Sequence, residues 1–156
     1  PLYLAIAREE SKFYIGSRSS TGAEGLMQLM PKTAEMMASE LGLPYLPSRL
    51  RVDWKYNVKL GANYIKKLIK RYDYSLPLAL AGYNAGPGRV NEWLKIYGDP
   101  RENEIDMLNW IQCIPFDETR GYVSRVLAAK TMYEGILRGG SLKLDSLGQE
   151  FLLSAD

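Results

Sequence analysis

Histidine is absent from this 156-residue chain. The absence removes Ser-His and Cys-His catalysis and the commonest metal ligand together. A single cysteine, Cys113, excludes an internal disulfide and a cysteine-built zinc site. No apolar run approaches the length of a bilayer span, so no transmembrane segment is expected. Neither sign of charge dominates: 20 Lys and Arg face 18 Asp and Glu, a formal +2. The densest basic run, Lys66, Lys67, Lys70 and Arg71, closes a helical pattern, where the helix dipole favours cations, so nucleic acid is not an expected partner. Strand-like alternation, internal repeats and low-complexity stretches are also missing. An enzyme built from this chain must move protons with carboxylates and tyrosines, and no metal or other cofactor is expected.

What is present reads as one mainly α domain. Hydrophobic residues at 46% and charged residues at 24% are ordinary for a globular protein, and the length suffices to bury a core. The chain opens on Pro1 without a basic-then-apolar leader, so a removed secretion signal or a domain cut from a longer protein is expected. At helical pitch Leu2, Ile6 and Phe13 share a face, with Glu10 on the flank of Ile6 and Glu9 almost as close. A partly dry carboxyl group resists ionisation and can serve as a general acid. Two surface charges on an N-terminal helix is the plainer alternative, and spacing does not choose between Glu9 and Glu10.

A glycine- and serine-rich loop, Gly16 to Gly25, follows, of a kind that lets backbone approach a ligand. Pro31 suits the start of a helix running to Leu41 and stopping at Gly42, before a connector over 42–52. Asp53 is the expected N-cap of a helix to about Tyr72. Ser75 and Pro77 open another, leading through Leu80 into Ala81-Gly82-Tyr83-Asn84-Ala85-Gly86-Pro87-Gly88. Val90 to Tyr97 and Ile105 to Ile111 are further helical segments, and Asp117 is the expected cap of a last long helix ending at Gly139-Gly140. The tail over 139–156 is too apolar for a free linker and is expected to pack on this domain or a neighbour.

Position alone makes Met27 and Met30 core filler, but Gln28 between them carries an amide that needs partners, and sugar N-acetyl and hydroxyl groups are suitable ones. The glycines at 82, 86 and 88 lack the Gly-Lys-Ser/Thr ending of a phosphate loop and follow a helix. Trp54, Trp93 and Trp110 are expected in the core. Glu118 and Arg120 otherwise read as first-turn charges of the last helix, with Glu118 favourable near its N-terminus.

Four segments, Glu10-Ser11, Gly25 to Pro31, Ala81 to Gly86 and Ile114 to Val123, taken in this order resemble the soluble-type lytic transglycosylases, which cut the glycan strands of bacterial peptidoglycan. The resemblance covers about residues 1–137 and implies a lysozyme-like, goose-type helical catalytic domain over 1–138. It implies that Glu10, the glutamate directly before the serine, is catalytic, and that Ser11, Gln28, Met30, Tyr83, Asn84, Glu118 and Tyr122 contact substrate. Tyr83 is expected to orient the catalytic glutamate. Two departures from the family pattern are Glu9, where a neutral polar residue is common, and Ala81-Gly82 before the Tyr-Asn-Ala-Gly core.

The implied reaction uses one carboxyl group where most glycosidases use two. Glu10 protonates the oxygen between N-acetylmuramic acid and N-acetylglucosamine, then takes the proton of the muramyl C6 hydroxyl as that oxygen closes on C1. The expected partner is therefore peptidoglycan, the expected location the periplasm or cell envelope, and an upstream helical domain is expected in a longer protein. Two alternatives stay open: a hydrolytic muramidase with a second carboxylate at Glu118 or Glu24, and a non-catalytic glycan-binding domain, against which Glu10, Gln28 and Tyr83 speak.

Overall fold

A computed structural model describes residues 1–139, so the tail expected to pack at 139–156 lies, apart from Gly139, outside the described residues. Among the described residues seven α-helices follow one another: α1 Leu2–Ser11, α2 Pro31–Glu40, α3 Trp54–Arg71, α4 Leu76–Ala85, α5 Pro87–Tyr97, α6 Met107–Cys113 and α7 Asp117–Leu137. Tight 3-10 turns occupy Pro47–Arg51 and Pro100–Glu102. Among the described residues β-structure is confined to isolated bridges, Arg18 with Glu24 and Glu24 with Leu29. The helices fall into two compact units, Leu2–Lys67 and the chain from Leu68 onward.

In the first unit, α1 buries Ala5, Ile6 and Ala7. Phe13 does not join that face. The helix stops at Ser11, Lys12 and Phe13 turn into left-handed backbone at φ 52° and 64°, and Phe13 is left 46% exposed. The apolar spacing therefore runs one turn beyond the helix that carries it. Pro31 opens α2 as its first residue, where its missing N–H costs nothing, and Gly42 ends the segment at φ +64°. The connector over 42–52 is tied down by Tyr56, whose hydroxyl donates to the Pro44 carbonyl at 2.9 Å and accepts from the Leu46 N–H at 3.1 Å.

Asp53 caps α3 as expected, its Oδ1 accepting from the Tyr56 N–H at 3.1 Å. That bond, with help from the Arg49 guanidinium, holds the Asp53 carboxyl below its ordinary pKa. The inner face of α3 carries Leu60 and Ile65 together with one polar side chain, Asn57, all fully buried.

The second unit centres on α4, which buries Pro77 through Gly82 and packs against both α5 and α7. A helix apolar on all sides has no solvent face. Ser75 stands at its N-cap position but makes no capping bond, and its Oγ is buried without a partner, so Pro77 supplies the start signal. Gly86, at φ +89°, ends α4 and opens α5. Trp93 and Trp110 are core residues as expected, with Trp93 meeting the Phe116 ring edge-on at 5.3 Å; Trp54 is half-exposed instead.

Three helix starts differ from the sequence expectation, with α5 opening at Pro87 rather than Val90. The short helix begins at Met107 because Asp106 accepts from the Leu108 and Asn109 N–H groups at 2.9 and 3.2 Å. Phe116, not Asp117, occupies the N-cap of α7, and the Asp117 carboxylate pairs with Arg120 one turn on. Gly139, at φ +71°, follows the end of α7.

Candidate active site

The first unit carries Glu10, Ser11, Gln28 and Met30. Glu10 is half-buried on the last turn of α1. Its neighbour Glu9 has a side chain only 6% exposed, and its carboxylate lies 3.5 Å from the Lys12 ammonium. Glu9 is thus tied to the residue that begins the turn after α1. Ser11 is buried, and its hydroxyl donates to the Ala7 carbonyl at 3.0 Å, closing the helix end. With its one proton spent there, Ser11 can offer a ligand only an acceptor.

The loop leading to Gln28 is compact. It is laced by its own backbone: Gly25 N–H to Ser17 carbonyl at 2.9 Å, Ser19 N–H to Ala23 carbonyl at 2.9 Å, and Glu24 and Leu29 exchanging bonds at 2.9 and 3.1 Å. Gln28 closes its tight turn at φ 46°, in a backbone region that costs a non-glycine residue about 1–3 kcal/mol and persists only when surroundings hold it. Its Nε2 donates to the Gly25 carbonyl at 2.8 Å and the Ser17 carbonyl at 3.2 Å. The amide NH2 thus finds its partners in the loop, and the carbonyl end is what Gln28 has to offer a ligand. The two methionines divide: Met27 is fully buried, whereas Met30, just before α2, is 44% exposed.

The second unit carries Tyr83, Asn84, Glu118 and Tyr122. Asn84, at the end of α4, accepts from the Thr119 hydroxyl at 2.7 Å, which pins the first turn of α7 to α4. Tyr83 and Glu118 immediately precede the two bonded residues, so this bond fixes the helix ends that carry them. Glu118 is exposed and Tyr83 half-buried, while Tyr122 is buried one turn along α7. Arg120 donates to the Ile114 carbonyl at 2.7 Å and pairs with Asp117, a role within the helix start.

Of the carboxylates weighed for a second catalytic role, Glu24 is flanked by Arg18 at 3.5 Å and Arg51 at 3.8 Å. Among the described residues no cluster of carboxylate or cysteine side chains is arranged to hold a metal ion. Sequence reasoning passed over Asn57, which in the structure accepts from the Met27 N–H at 2.8 Å and donates to the Glu24 and Leu50 carbonyls at 2.9 and 3.1 Å. Its signal was a polar residue on the apolar side of α3.

The helical domain has the lysozyme-like fold of solved lytic transglycosylases. The transglycosylase SLT domain model matches residues 1–105, and the chain belongs to that family. The soluble lytic murein transglycosylase of Escherichia coli (strain K12) is 37% identical over 131 residues, which is 83% of this chain and 20% of that protein. A membrane-bound lytic murein transglycosylase F of Shewanella woodyi is 35% identical over 124 residues, 76% of this chain and 24% of that protein. An inactive mutant of the Pseudomonas aeruginosa lytic transglycosylase Slt superposes with a TM-score of 0.77 at 40% identity, covering 90% of this chain and 22% of that one. The 70 kDa soluble lytic transglycosylase of Escherichia coli does so at 0.78 and 36% identity, covering 89% and 22%. The chain thus spans about a fifth of the length of these relatives.

Proposed function

We propose that this domain cleaves the β-1,4 bond between N-acetylmuramic acid and N-acetylglucosamine in peptidoglycan without consuming water. The observation that carries the proposal is Glu10: half-buried at the end of α1, directly before Ser11, in a chain of this family. Partial desolvation favours a neutral carboxyl group, which Glu10 needs to protonate the glycosidic oxygen. The N-acetylglucosamine side leaves with that proton on its O4. The muramyl N-acetyl group stabilises the positive charge developing at C1. Glu10, now a carboxylate, takes the C6 hydroxyl proton as that oxygen bonds to C1, and the residue returns to its starting state with a 1,6-anhydro ring formed.

An internal hydroxyl already in place outcompetes water through its high effective concentration. Gln28, Met30, Tyr83, Asn84, Glu118 and Tyr122 are proposed glycan contacts, and Ser11 the residue that ends the helix presenting Glu10. A glycan substrate of this kind places the protein in the bacterial cell envelope; no helix among the described residues is long and apolar enough to cross a membrane.

The deciding experiment is digestion of peptidoglycan in heavy-oxygen water followed by mass spectrometry. Unlabelled, borohydride-resistant 1,6-anhydro ends are expected, and Glu10→Gln should lower their formation by about 10²–10⁴-fold, the usual worth of a general acid–base group, with the helical circular dichroism unchanged. Reducible, labelled ends as the main product would replace the proposal with a hydrolytic muramidase.

A further inference from the structure

Resting on the glycan-cleaving reading, we infer that Asn57 is a positioning residue: its buried amide sets the geometry of the Glu24–Gln28 turn and so aims Gln28 at the glycan. The side chain is fully buried on α3 and uses both ends on backbone of other segments. Oδ1 accepts from the Met27 N–H at 2.8 Å, and Nδ2 donates to the Glu24 carbonyl at 2.9 Å and the Leu50 carbonyl at 3.1 Å. These groups bracket the turn that Gln28 closes, and only an amide offers an acceptor and a two-hydrogen donor in this arrangement.

Two glycines bring the turn against α3. A Cβ on Gly25, itself at φ +81°, would overlap both the Asn57 amide and the Leu50 carbonyl, and a Cβ on Gly61 would lie 2.6 Å from the Met27 sulfur. The missing Cβ at Gly25 leaves Asn57 room to approach the turn closely enough for all three hydrogen bonds. Gln28 depends on that seat, because it sits at φ 46° and spends its NH2 on the Gly25 and Ser17 carbonyls of the same loop. When Asn57 no longer fixes Met27 and Glu24, the left-handed turn can relax and the Gln28 carbonyl loses its direction. No atom of Asn57 needs to touch the sugar for this effect.

The test is a double-mutant cycle on soluble, uncross-linked glycan strands. Asn57→Ala and Gln28→Ala are each expected to raise KM about tenfold with kcat within about threefold, as loss of binding common to ground and transition states requires. In the Gln28→Ala background Asn57→Ala should raise KM by less than about twofold, since both act through one contact. Ile65→Ala, a fully buried apolar truncation on the same helix, should lower Tm while leaving KM unchanged. Independent, multiplicative KM effects, or an equal rise in KM for Ile65→Ala, would overturn the inference.

Should Asn57→Ala not fold, the wild type decides by NMR titration with an N-acetylglucosamine hexamer. The Asn57 and Gln28 side-chain amide resonances should move on one saturation curve, and movement of Gln28 with Asn57 unaffected is the contrary result. A wild-type enzyme that forms no anhydro ends from the strands defeats the functional reading instead, and the two failures are thereby distinct.

Discussion

The loop over 16–30 and the α4–α7 helix pair are held by opposite means. Around the loop, backbone groups close on one another and on the Asn57 amide, Gln28 adopts left-handed backbone, and Gly25 leaves no room for a Cβ. In the pair, α4 buries Pro77 through Gly82, and the Thr119 to Asn84 side-chain bond holds its end against α7. Directional bonds fail abruptly when a partner is lost, whereas apolar packing loses free energy in proportion to the volume removed. Geometry at Gln28 should thus be sensitive to single atoms, and geometry at Tyr83 to overall stability.

The sharpest way to break this contrast is Leu80→Ala. Leu80 is fully buried in α4, so its truncation should cost about 2–5 kcal/mol, read as a fall in the denaturation midpoint, while KM for glycan stays within twofold below the melting range. A large rise in KM at temperatures where the variant is folded would contradict the division. Gly25→Ala is the counterpart. The strained φ and the overlap with Asn57 and Leu50 should cost about 1–3 kcal/mol, and here KM should rise with the loss of stability. Equal stability with unchanged KM would mean that the loop tolerates a shift.

Tyr83→Phe sharpens the comparison from the helical side. If Tyr83 orients Glu10, as the family resemblance implies, removing its hydroxyl should lower kcat roughly tenfold to a hundredfold, with Tm nearly unchanged. A wild-type rate would return Tyr83 to packing. The smallest effect is expected at Asp99, where the Arg101 guanidinium holds the carboxyl below its ordinary pKa. The stabilisation from a lowered pKa is complete above the unfolded value of 3.8 and disappears as pH falls through the lower folded value. Asp99→Asn should therefore melt slightly lower than wild type at neutral pH, and the gap should close below the ordinary carboxylate range. A gap that persists in acid would point to a cause other than this ion pair.

Local signals in the sequence were read well where the cause was itself local. Asp53 before α3, Pro31 at the start of α2 and the glycines at 42 and 139 act within a few residues, so the chain around them settles what they do. Phe13 was misread because helical spacing cannot show where a helix stops, and Asp117 because its carboxylate had a nearer partner in Arg120. At the site, the Glu10-Ser11 pair was visible as a motif, whereas the Glu9–Lys12 ion pair forms at a left-handed turn that spacing does not show.

By itself the sequence determined the helical class, most helix limits, and a chemistry that has to run on carboxylates, because composition, periodicity and capping are properties of neighbours along the chain. Only the tertiary structure decided that Met27 is core and Met30 surface, that the Gln28 amide turns back on its own loop, and that Asn57 joins α3 to the Glu24–Met27 backbone. The physical reason is reach: Asn57 lies 30 residues from Met27 and 33 from Glu24, and a buried polar group finds its partners by proximity in space, which no spacing rule encodes.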